Sequence, residues 1–205
     1  MDIFGYGEDA FTMWALKNRL SVLLEKLNDT STLSQCKAFF RPSFGRGGGD
    51  NKAQFGEFDF ILLSQHRLYL GESKWHRSSE KITNGILQLR QEQLNRHAIF
   101  KFYAQEWAFG NYSTWNDFVE SAKVKLQGNE NSKPIAPDGS LLASNLKTLL
   151  QVIRQHFTIQ PPMQNVLLFL HDGTYKKPPL QGAGLDFKVV TIDCSEGCYE
   201  NFIKL

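Results

Sequence analysis

Two short apolar segments, separated by only three residues, form the clearest hydrophobic pattern in the chain. The first covers residues 57–63 and the second covers residues 67–75, with Ser64-Gln65-His66 between them. Apolar runs of this length on either side of a three-residue connection predict a β-hairpin. Side chains alternate along a strand, so Glu72 and Lys74 are expected on one face of the second strand.

The remaining apolar positions predict an α-β-β-β-α-β order. Apolar residues at helical spacing predict a helix over residues 8–27 and a long helix over residues 83–106, whose apolar side includes Ile86 and Leu89. A strand is predicted within residues 37–44, followed by a Gly-rich loop over residues 45–56. Continuous apolar runs at residues 166–170 and 187–192 predict buried strands.

Residues 107–161 form an elaboration of this order, inserted before the fourth strand. The pattern predicts helices over residues 112–126 and 141–157, with an Asn-, Lys-, Pro- and Gly-rich loop over residues 127–139 between them. The 205 residues fit a single α/β domain that contains this mostly helical insertion.

Composition restricts the class of protein. The hydrophobic fraction is 41% and the charged fraction 21%, as in ordinary globular chains. No run approaches the length of a membrane span, and residues 1–5 lack the features of a secretion signal. The three cysteines, Cys36, Cys194 and Cys198, lack zinc-site spacing. A reduced, cytoplasmic chain is therefore expected, with no membrane partner.

Charge is unevenly distributed along the chain. The formal net charge is +2, yet residues 37–101 contain eleven Lys or Arg and six Asp or Glu. Three of those six acids are Glu57, Asp59 and Glu72, on the predicted hairpin. The region that contains the hairpin is thus the one suited to a polyanion, although a mixed, solvated surface would give the same asymmetry.

Two acids and a lysine on one hairpin are costly to bring together unless a cation binds there, and oxygen ligands suit Mg²⁺. Asp59 on the first strand and Glu72-Ser73-Lys74 on the second resemble the motif of the PD-(D/E)XK, or restriction-endonuclease-like, nuclease superfamily. The proline of the family name is absent, because Phe58 precedes Asp59. The resemblance implies an αβββαβ core with a mixed central sheet flanked by helices.

The resemblance also implies roles for individual residues. Asp59 and Glu72 would be metal ligands, with Mg²⁺ as cofactor and Mn²⁺ as a substitute. Lys74 would orient or activate the attacking water. Many members add an acid from the first helix, and Glu8 matches that position, with Asp9 as the alternative; an acid in a first helical turn also simply favours the helix dipole.

Other polar residues are further candidates. Gln93 and His97 lie on the apolar stripe of the long helix, and the segment 93–97 resembles the Gln-x-x-x-Tyr element of the RecB-like branch, with His in place of Tyr. Gln88 competes with Gln93 for that role, and a satisfied structural Gln or His is an equal alternative. Glu57 is a further ligand or a base-contacting residue, although an exposed acid at a strand start is slightly favoured.

Basic and aromatic residues near the hairpin are candidates for nucleic-acid binding. These are Arg46, Lys52, Trp75, Arg77 and Lys81. The loop that carries Arg46 and Lys52 lacks the G-x-x-x-x-G-K-[ST] spacing of a P-loop. It is either a loop that approaches DNA or an ordinary surface loop.

The expected function is metal-dependent hydrolysis of DNA phosphodiester bonds, in the manner of a restriction, repair or defence endonuclease. The resemblance also allows a homodimer. Two alternatives remain open: a catalytically silent nucleic-acid-binding module on the same fold, and a structural partner-binding protein that uses residues 107–161 as its interface. A nucleotide-binding enzyme is less favoured, because no Gly-rich turn joins a strand to a helix.

Overall fold

The computed structural model describes residues 1–45, 52–78, 82–126, 135–174, 179, 181–182 and 187–205. These residues belong to two compact units. The first unit contains Met1–Pro42, Phe58–Arg90 and Pro162–Leu205, and the second contains Ser43–Glu57 and Gln91–Pro161.

In chain order the elements are β1 (Phe4–Tyr6), α1 (Gly7–Asn18), α2 (Leu20–Leu27), a 3-10 turn (Leu33–Gln35), β2 (Lys37–Phe40), β3 (Ser43–Phe44), β4 (Gly56–Glu57), β5 (Phe60–Leu63), β6 (Leu68–Trp75), β7 (Ile82–Thr83), β8 (Ile86–Leu87), α3 (Gln91–Tyr103), a π-helical turn (Ala104–Ala108), α4 (Trp115–Leu126), α5 (Leu141–His156), β9 (Met163–His171), β10 (Gln181–Gly182), β11 (Phe187–Asp193), β12 (Cys198–Tyr199) and β13 (Phe202–Lys204).

A mixed five-stranded sheet forms the centre of the first unit, in the order β11-β9-β6-β5-β2. β5 and β6 pair in an antiparallel manner, as the hairpin pattern predicts, and β9 and β11 run parallel to β6. Every residue of β6 is buried, which is typical of a central strand. The α/β class is therefore confirmed, with the predicted hairpin at the centre of the sheet.

Helices α1 and α2 cover one face of this sheet. Phe11, Trp14 and Leu23 pack there against strand residues that include Tyr69 and Leu168. The single helix predicted over residues 8–27 is instead two helices, because Arg19 has φ −127° and ψ 18°, outside the helical region. None of the described helices is both long enough and apolar enough to cross a bilayer.

Gly71 lies opposite Phe60 in the β5–β6 ladder, and the Phe60 ring occupies the space where a side chain at Gly71 would begin. Phe60 is fully buried, so the ring has little room to move. We expect Gly71→Ala to lower the free energy of unfolding by about 2 kcal/mol, the usual cost of overpacking. Denaturant midpoints measure this, and Phe60→Leu should restore part of the loss; an unchanged midpoint in Gly71→Ala would contradict the prediction.

A second sheet joins the two ends of the first unit. Its order is β1-β13-β12, and both pairings are antiparallel. The backbone N–H of Gly7 donates to the carbonyl of Asn201 at 2.9 Å, which fixes the start of α1 to the turn before β13. The hydrophobic pattern did not predict these strands, because each has only two or three residues.

The start of the long helix predicted over residues 83–106 is wrong. Residues 82–87 form the antiparallel β7–β8 hairpin, and α3 begins only at Gln91. Asn84 and Gly85 have φ of 53° and 77°, so they make the two-residue turn that Asn-Gly favours. Ile86 and Leu89 therefore do not extend the apolar side of α3.

The predicted strand over residues 37–44 is divided between the two units. β2 ends at Phe40, and Ser43–Phe44 pairs instead with Gly56–Glu57 in a separate two-stranded sheet. Pro42 lies between the two segments, and proline has no N–H to donate to a ladder. The first strand of the central hairpin is correspondingly shorter than predicted and begins at Phe60.

The second unit is mostly helical, with α3, α4 and α5. Its core contains stacked and edge-to-face rings of Tyr103, Trp107, Trp115 and Phe118. The indole N–H of Trp115 donates to the carbonyl of Ala136 at 2.7 Å. Helices α4 and α5 match the helices predicted for the elaboration over residues 107–161, while most of the predicted loop, residues 127–134, lies outside the described part.

Candidate active site

The central hairpin places Asp59 beside Glu72. Phe60 pairs with Gly71 in an antiparallel ladder. Asp59, the residue before Phe60, is therefore opposite Glu72, the residue after Gly71. The backbone N–H of Ser73 donates to Asp59 Oδ2 at 2.6 Å, which fixes the orientation of the carboxylate. Glu72 is 1% exposed. Two acids that the sequence analysis predicted to meet therefore do so, in a largely water-excluded place.

Burial and the neighbouring acid change the protonation of Asp59. Burial and, after it, the charge of Glu72 raise the pKa of Asp59 to about 7, although the hydrogen bond from Ser73 lowers it. Glu8 also raises this pKa, and Lys74 lowers it. Two close carboxylates cannot both ionise cheaply unless positive charge compensates them. The pair is consequently suited to receive a cation.

Lys74 lies two residues after Glu72 on β6 and is 6% exposed. The side chains of Tyr69 and Trp75 project towards α1 and α2. By strand alternation, those of Glu72 and Lys74 project from the opposite face of the sheet. The Lys74 ammonium lies 3.3 Å from Glu8 Oε1. The predicted Asp59, Glu72 and Lys74 group is thus assembled, and Lys74 has a carboxylate partner.

Glu8 joins the start of α1 to the end of β6. Its Oε1 accepts from Lys74, and its Oε2 accepts from the backbone N–H of Trp75 at 3.0 Å. Glu8 is in the first turn of α1, where the helix dipole favours an acid. The alternative residue, Asp9, forms an ion pair with Arg41. The structure therefore brings Glu8, and not Asp9, to the lysine.

Trp75 and Arg77, predicted to contact nucleic acid, are engaged within the first unit. Trp75 is 3% exposed, its ring stacks on Phe11 with centroids 3.7 Å apart, and its indole N–H donates to Asn201 Oδ1 at 3.3 Å. This burial argues against a phosphate contact by the Trp75 side chain. Arg77 lies 2.5 Å from Asp172 Oδ2 and remains about one-third exposed, at 38%.

The pairing of His76, which also follows the hairpin and was a candidate for phosphate contact, with Asp172 was not predicted; the two residues meet beyond the ends of two neighbouring parallel strands. His76 Nε2 lies 3.1 Å from Asp172 Oδ1, and both side chains are buried. Burial lowers the pKa of His76. Burial by itself raises the pKa of Asp172, but hydrogen bonds from Thr174 and Arg77 hold it well below its usual value. The sequence signal was available: each residue directly follows a buried strand, β6 or β9.

The other predicted residues belong to the second unit, follow β8 or lie outside the described residues. Arg46 and Lys81 are not among the described residues. Lys52, exposed, belongs to the second unit. Gln88 is exposed and follows β8, so it is not on a helix as the competing assignment required.

Three further candidates belong to the second unit. Gln93 and His97 are buried on α3, as their position on the apolar stripe predicts. Glu57 is half-buried on β4, where its backbone carbonyl accepts from Arg96 Nη1. Their predicted participation in the site stays a prediction.

The donor set has the chemistry of a magnesium site. Among the described residues, no group of three or more His, Cys, Asp or Glu side chains is arranged to hold a metal ion. Asp59 and Glu72 are nevertheless a carboxylate pair, and Mg²⁺ commonly takes one or two protein carboxylates and keeps its remaining ligands as water. Burial and the charge of Glu72 both raise the pKa of Asp59, so a cation between the two carboxylates would favour their ionised forms. These residues therefore fit a divalent cation.

Comparison of the chain with protein-family models, with curated proteins and with solved structures found no match in any of the three.

Proposed function

We propose that this protein is a Mg²⁺-dependent nuclease that hydrolyses DNA phosphodiester bonds, with a restriction-endonuclease-like αβββαβ core. One observation carries the proposal. Asp59 and Glu72 face each other on paired strands, with Lys74 on the same face and its ammonium 3.3 Å from the first-helix acid Glu8. This arrangement of acids and lysine is the one that the PD-(D/E)XK resemblance requires.

The strand order is consistent with that core. α1 supplies Glu8, the antiparallel strands β2, β5 and β6 follow, and β9 lies beside β6 in parallel. The site lies where the end of the central strand β6 meets the start of α1, so three separate segments of the first unit contribute to it. The parallel pairing of β6 and β9 requires a crossover, which is consistent with the insertion between them.

Each residue has a chemical role in this proposal. Asp59 and Glu72 would hold Mg²⁺, which polarises a phosphate and lowers the pKa of bound water. Lys74, whose ammonium contacts Glu8, would stabilise charge on the phosphate and hold the attacking water. Glu8 positions the ammonium, and Ser73 positions Asp59 through its N–H. DNA as substrate is supported by the basic balance of residues 37–101.

A catalytically silent nucleic-acid-binding module is the second candidate. One observation favours it: both oxygens of Glu8 are occupied, by Lys74 and by the backbone of Trp75, so Glu8 serves as a structural link in this state. Such a module would bind DNA equally well with and without metal. It would also keep its affinity in Glu8→Gln and Asp59→Asn.

Cleavage of supercoiled plasmid tests the proposal. Purified wild-type protein should nick the plasmid with Mg²⁺ or Mn²⁺, and EDTA should abolish nicking. Linear double-stranded and single-stranded DNA and RNA should be tried in parallel, with circular dichroism to verify that the protein is folded. A folded protein that cuts none of these substrates with either metal would overturn the proposal.

Lys74→Met should reduce the rate of cleavage by about 10²-fold, a typical cost for the loss of one charge-stabilising donor. Methionine keeps the length and the apolar stem of the side chain, so the buried position remains filled. Lys26→Met is the matched control, because Lys26 is exposed on α2. The measurement is the nicking rate of each variant and of wild type at saturating Mg²⁺. Equal rates for Lys74→Met and wild type would remove Lys74 from the mechanism.

A further inference from the structure

The small terminal sheet exposes four aromatic rings on one face. Phe4 and Tyr6 alternate along β1, and Phe202 and Tyr199 lie directly opposite one another on β13 and β12. Their exposure is 47–68%. The centroids of Phe4 and Tyr199 are 5.4 Å apart, and those of Tyr6 and Phe202 are 5.2 Å apart. We call these four residues the aromatic face.

The opposite side of the same sheet is in the core. Ile203 is fully buried, and Gly5 lies against Ala10 of α1. The sheet thus has an ordinary packed side, and its aromatic side is turned to solvent. Contiguous exposed apolar surface of this kind marks a binding site more often than it occurs by chance.

The composition of the aromatic face favours stacking with bases. The outward side chains are four π systems and Lys204, and no aliphatic residue stands among them. Lys204 lies 3.0 Å from Asp2 in an exposed ion pair, which contributes little and which a phosphate can replace. Aromatic rings that stack on unpaired bases, with a cation for the phosphate, are the usual means of binding single strands.

The small terminal sheet is anchored to two segments of the candidate active site. Asn201, which precedes Phe202, accepts from the backbone N–H of Gly7 and from the indole N–H of Trp75. Tyr6 is the N-cap residue of α1, only two residues before Glu8. The sheet that carries the rings is therefore fixed to the start of α1 and to the end of β6, the segments that carry Glu8 and Lys74.

We propose that the aromatic face binds unpaired nucleotides by stacking, and that the substrate of the neighbouring site is a single-stranded segment, such as a loop, a flap or a frayed end. The assignment of a substrate rests on the proposed nuclease function, whereas the stacking itself does not require turnover. A continuous duplex buries its base faces, so it cannot use the rings.

Binding of a fluorescent oligothymidylate, measured by anisotropy at low salt in EDTA, tests the proposal without cleavage. Tyr199→Leu and Phe202→Leu should each raise the Kd about tenfold, because leucine keeps apolar area but cannot stack. Tyr199→Phe keeps the ring and should bind within about twofold of wild type. A duplex of the same length should bind more weakly than the single strand and should not respond to these changes.

Three results would overturn the inference. The first is binding of the oligonucleotide by the leucine variants as tightly as by wild type. The second is tighter binding of the duplex than of the single strand. The third is sedimentation as a dimer that Tyr199→Glu dissociates, with no effect of the leucine variants on DNA binding, which would make the aromatic face a self-association surface. Failure of the nuclease proposal is distinct, since it would appear as ring-dependent binding without metal-dependent cleavage of the same oligonucleotide.

Discussion

Asp59→Asn should abolish cleavage and, at the same time, stabilise the protein in the absence of metal. Loss of a metal-binding carboxylate is expected to reduce the nicking rate by about 10³-fold or more. Asparagine keeps an oxygen that can accept the hydrogen bond from Ser73, so the local structure should persist. The two effects have one cause, since the charge that would bind the cation is the charge that Glu72 repels.

The stabilisation should depend on pH. Burial and Glu72 raise the pKa of Asp59 to about 7 in the folded protein, against about 4 in the unfolded chain. Ionised Asp59 therefore costs free energy of folding, and this cost is absent below pH 4 and grows as the pH rises towards 7. We expect Asp59→Asn to match wild type near pH 4 and to exceed it by up to about 4 kcal/mol at pH 8 in EDTA, because a pKa difference of about three units corresponds to that free energy.

Thermal unfolding with and without Mn²⁺ measures both effects. Wild type should gain stability with metal, and more at pH 8 than at pH 6, because binding must displace the proton of Asp59. Asp59→Asn should gain little at either pH. Glu25→Gln, which changes an exposed acid on α2, is the control and should behave as wild type. If Asp59→Asn is less stable than wild type at pH 8, the carboxylate repulsion described above is not the dominant interaction.

Asp29→Ala should cause the largest loss of stability among single polar substitutions in the first unit, about 3 kcal/mol. Asp29 Oδ1 accepts from the backbone N–H and the hydroxyl of Ser31, and Oδ2 accepts from the hydroxyls of Ser64 and Tyr69 at 2.6 and 2.7 Å. Ser64 and Tyr69 are fully buried. Alanine would remove a hydrogen-bond partner from each without giving it access to water.

The charge of Asp29 also makes stability depend on pH in the acid range. Burial by itself raises the pKa of Asp29, but the hydrogen bonds from Ser31, Ser64 and Tyr69 outweigh it and lower the pKa to about 2. A lowered pKa contributes stability that is present above pH 4 and is lost as the pH falls towards 2. The difference between wild type and Asp29→Asn should therefore shrink over that interval.

Urea unfolding at pH 7 and at pH 3 measures these effects. Asp138→Ala is a suitable control, because Asp138 is in an exposed ion pair with Lys147 and its loss should leave the urea midpoint close to that of wild type. A combination of Asp29→Ala with Tyr69→Phe should cost less than the sum of the two. Additive losses would mean that the two side chains do not depend on each other.

Strand periodicity and register predicted the centre of the candidate site. Alternation is enough to place Glu72 and Lys74 on one face, and a short hairpin is enough to bring Asp59 to Glu72. The hydrogen bond from Ser73 and the two contacts of Glu8 could not be predicted, because they depend on where α1 begins relative to the end of β6. His76 and Asp172 are likewise close only because β6 and β9 are parallel neighbours.

The errors in the fold have local causes. The apolar residues Ile86 and Leu89 matched the helical pattern predicted from residue 83. Asn84 and Gly85 instead adopt positive φ and make a turn. Pro42 and the positive φ of Arg41 separate two strands that hydrophobicity alone would join. The terminal sheet was missed because its strands are short and pair across almost the whole sequence, and such long-range pairing leaves no local signal.

The pairing of β1 with β13 has a consequence for the order of folding. Glu8 follows β1 directly, and the first turn of α1 is tied to Asn201 through Gly7. The first helix can therefore reach its final position against Lys74 only after residues 201–204 have left the ribosome and paired with β1. We expect a nascent chain to hold an incomplete site until residues 201–204 have paired with β1.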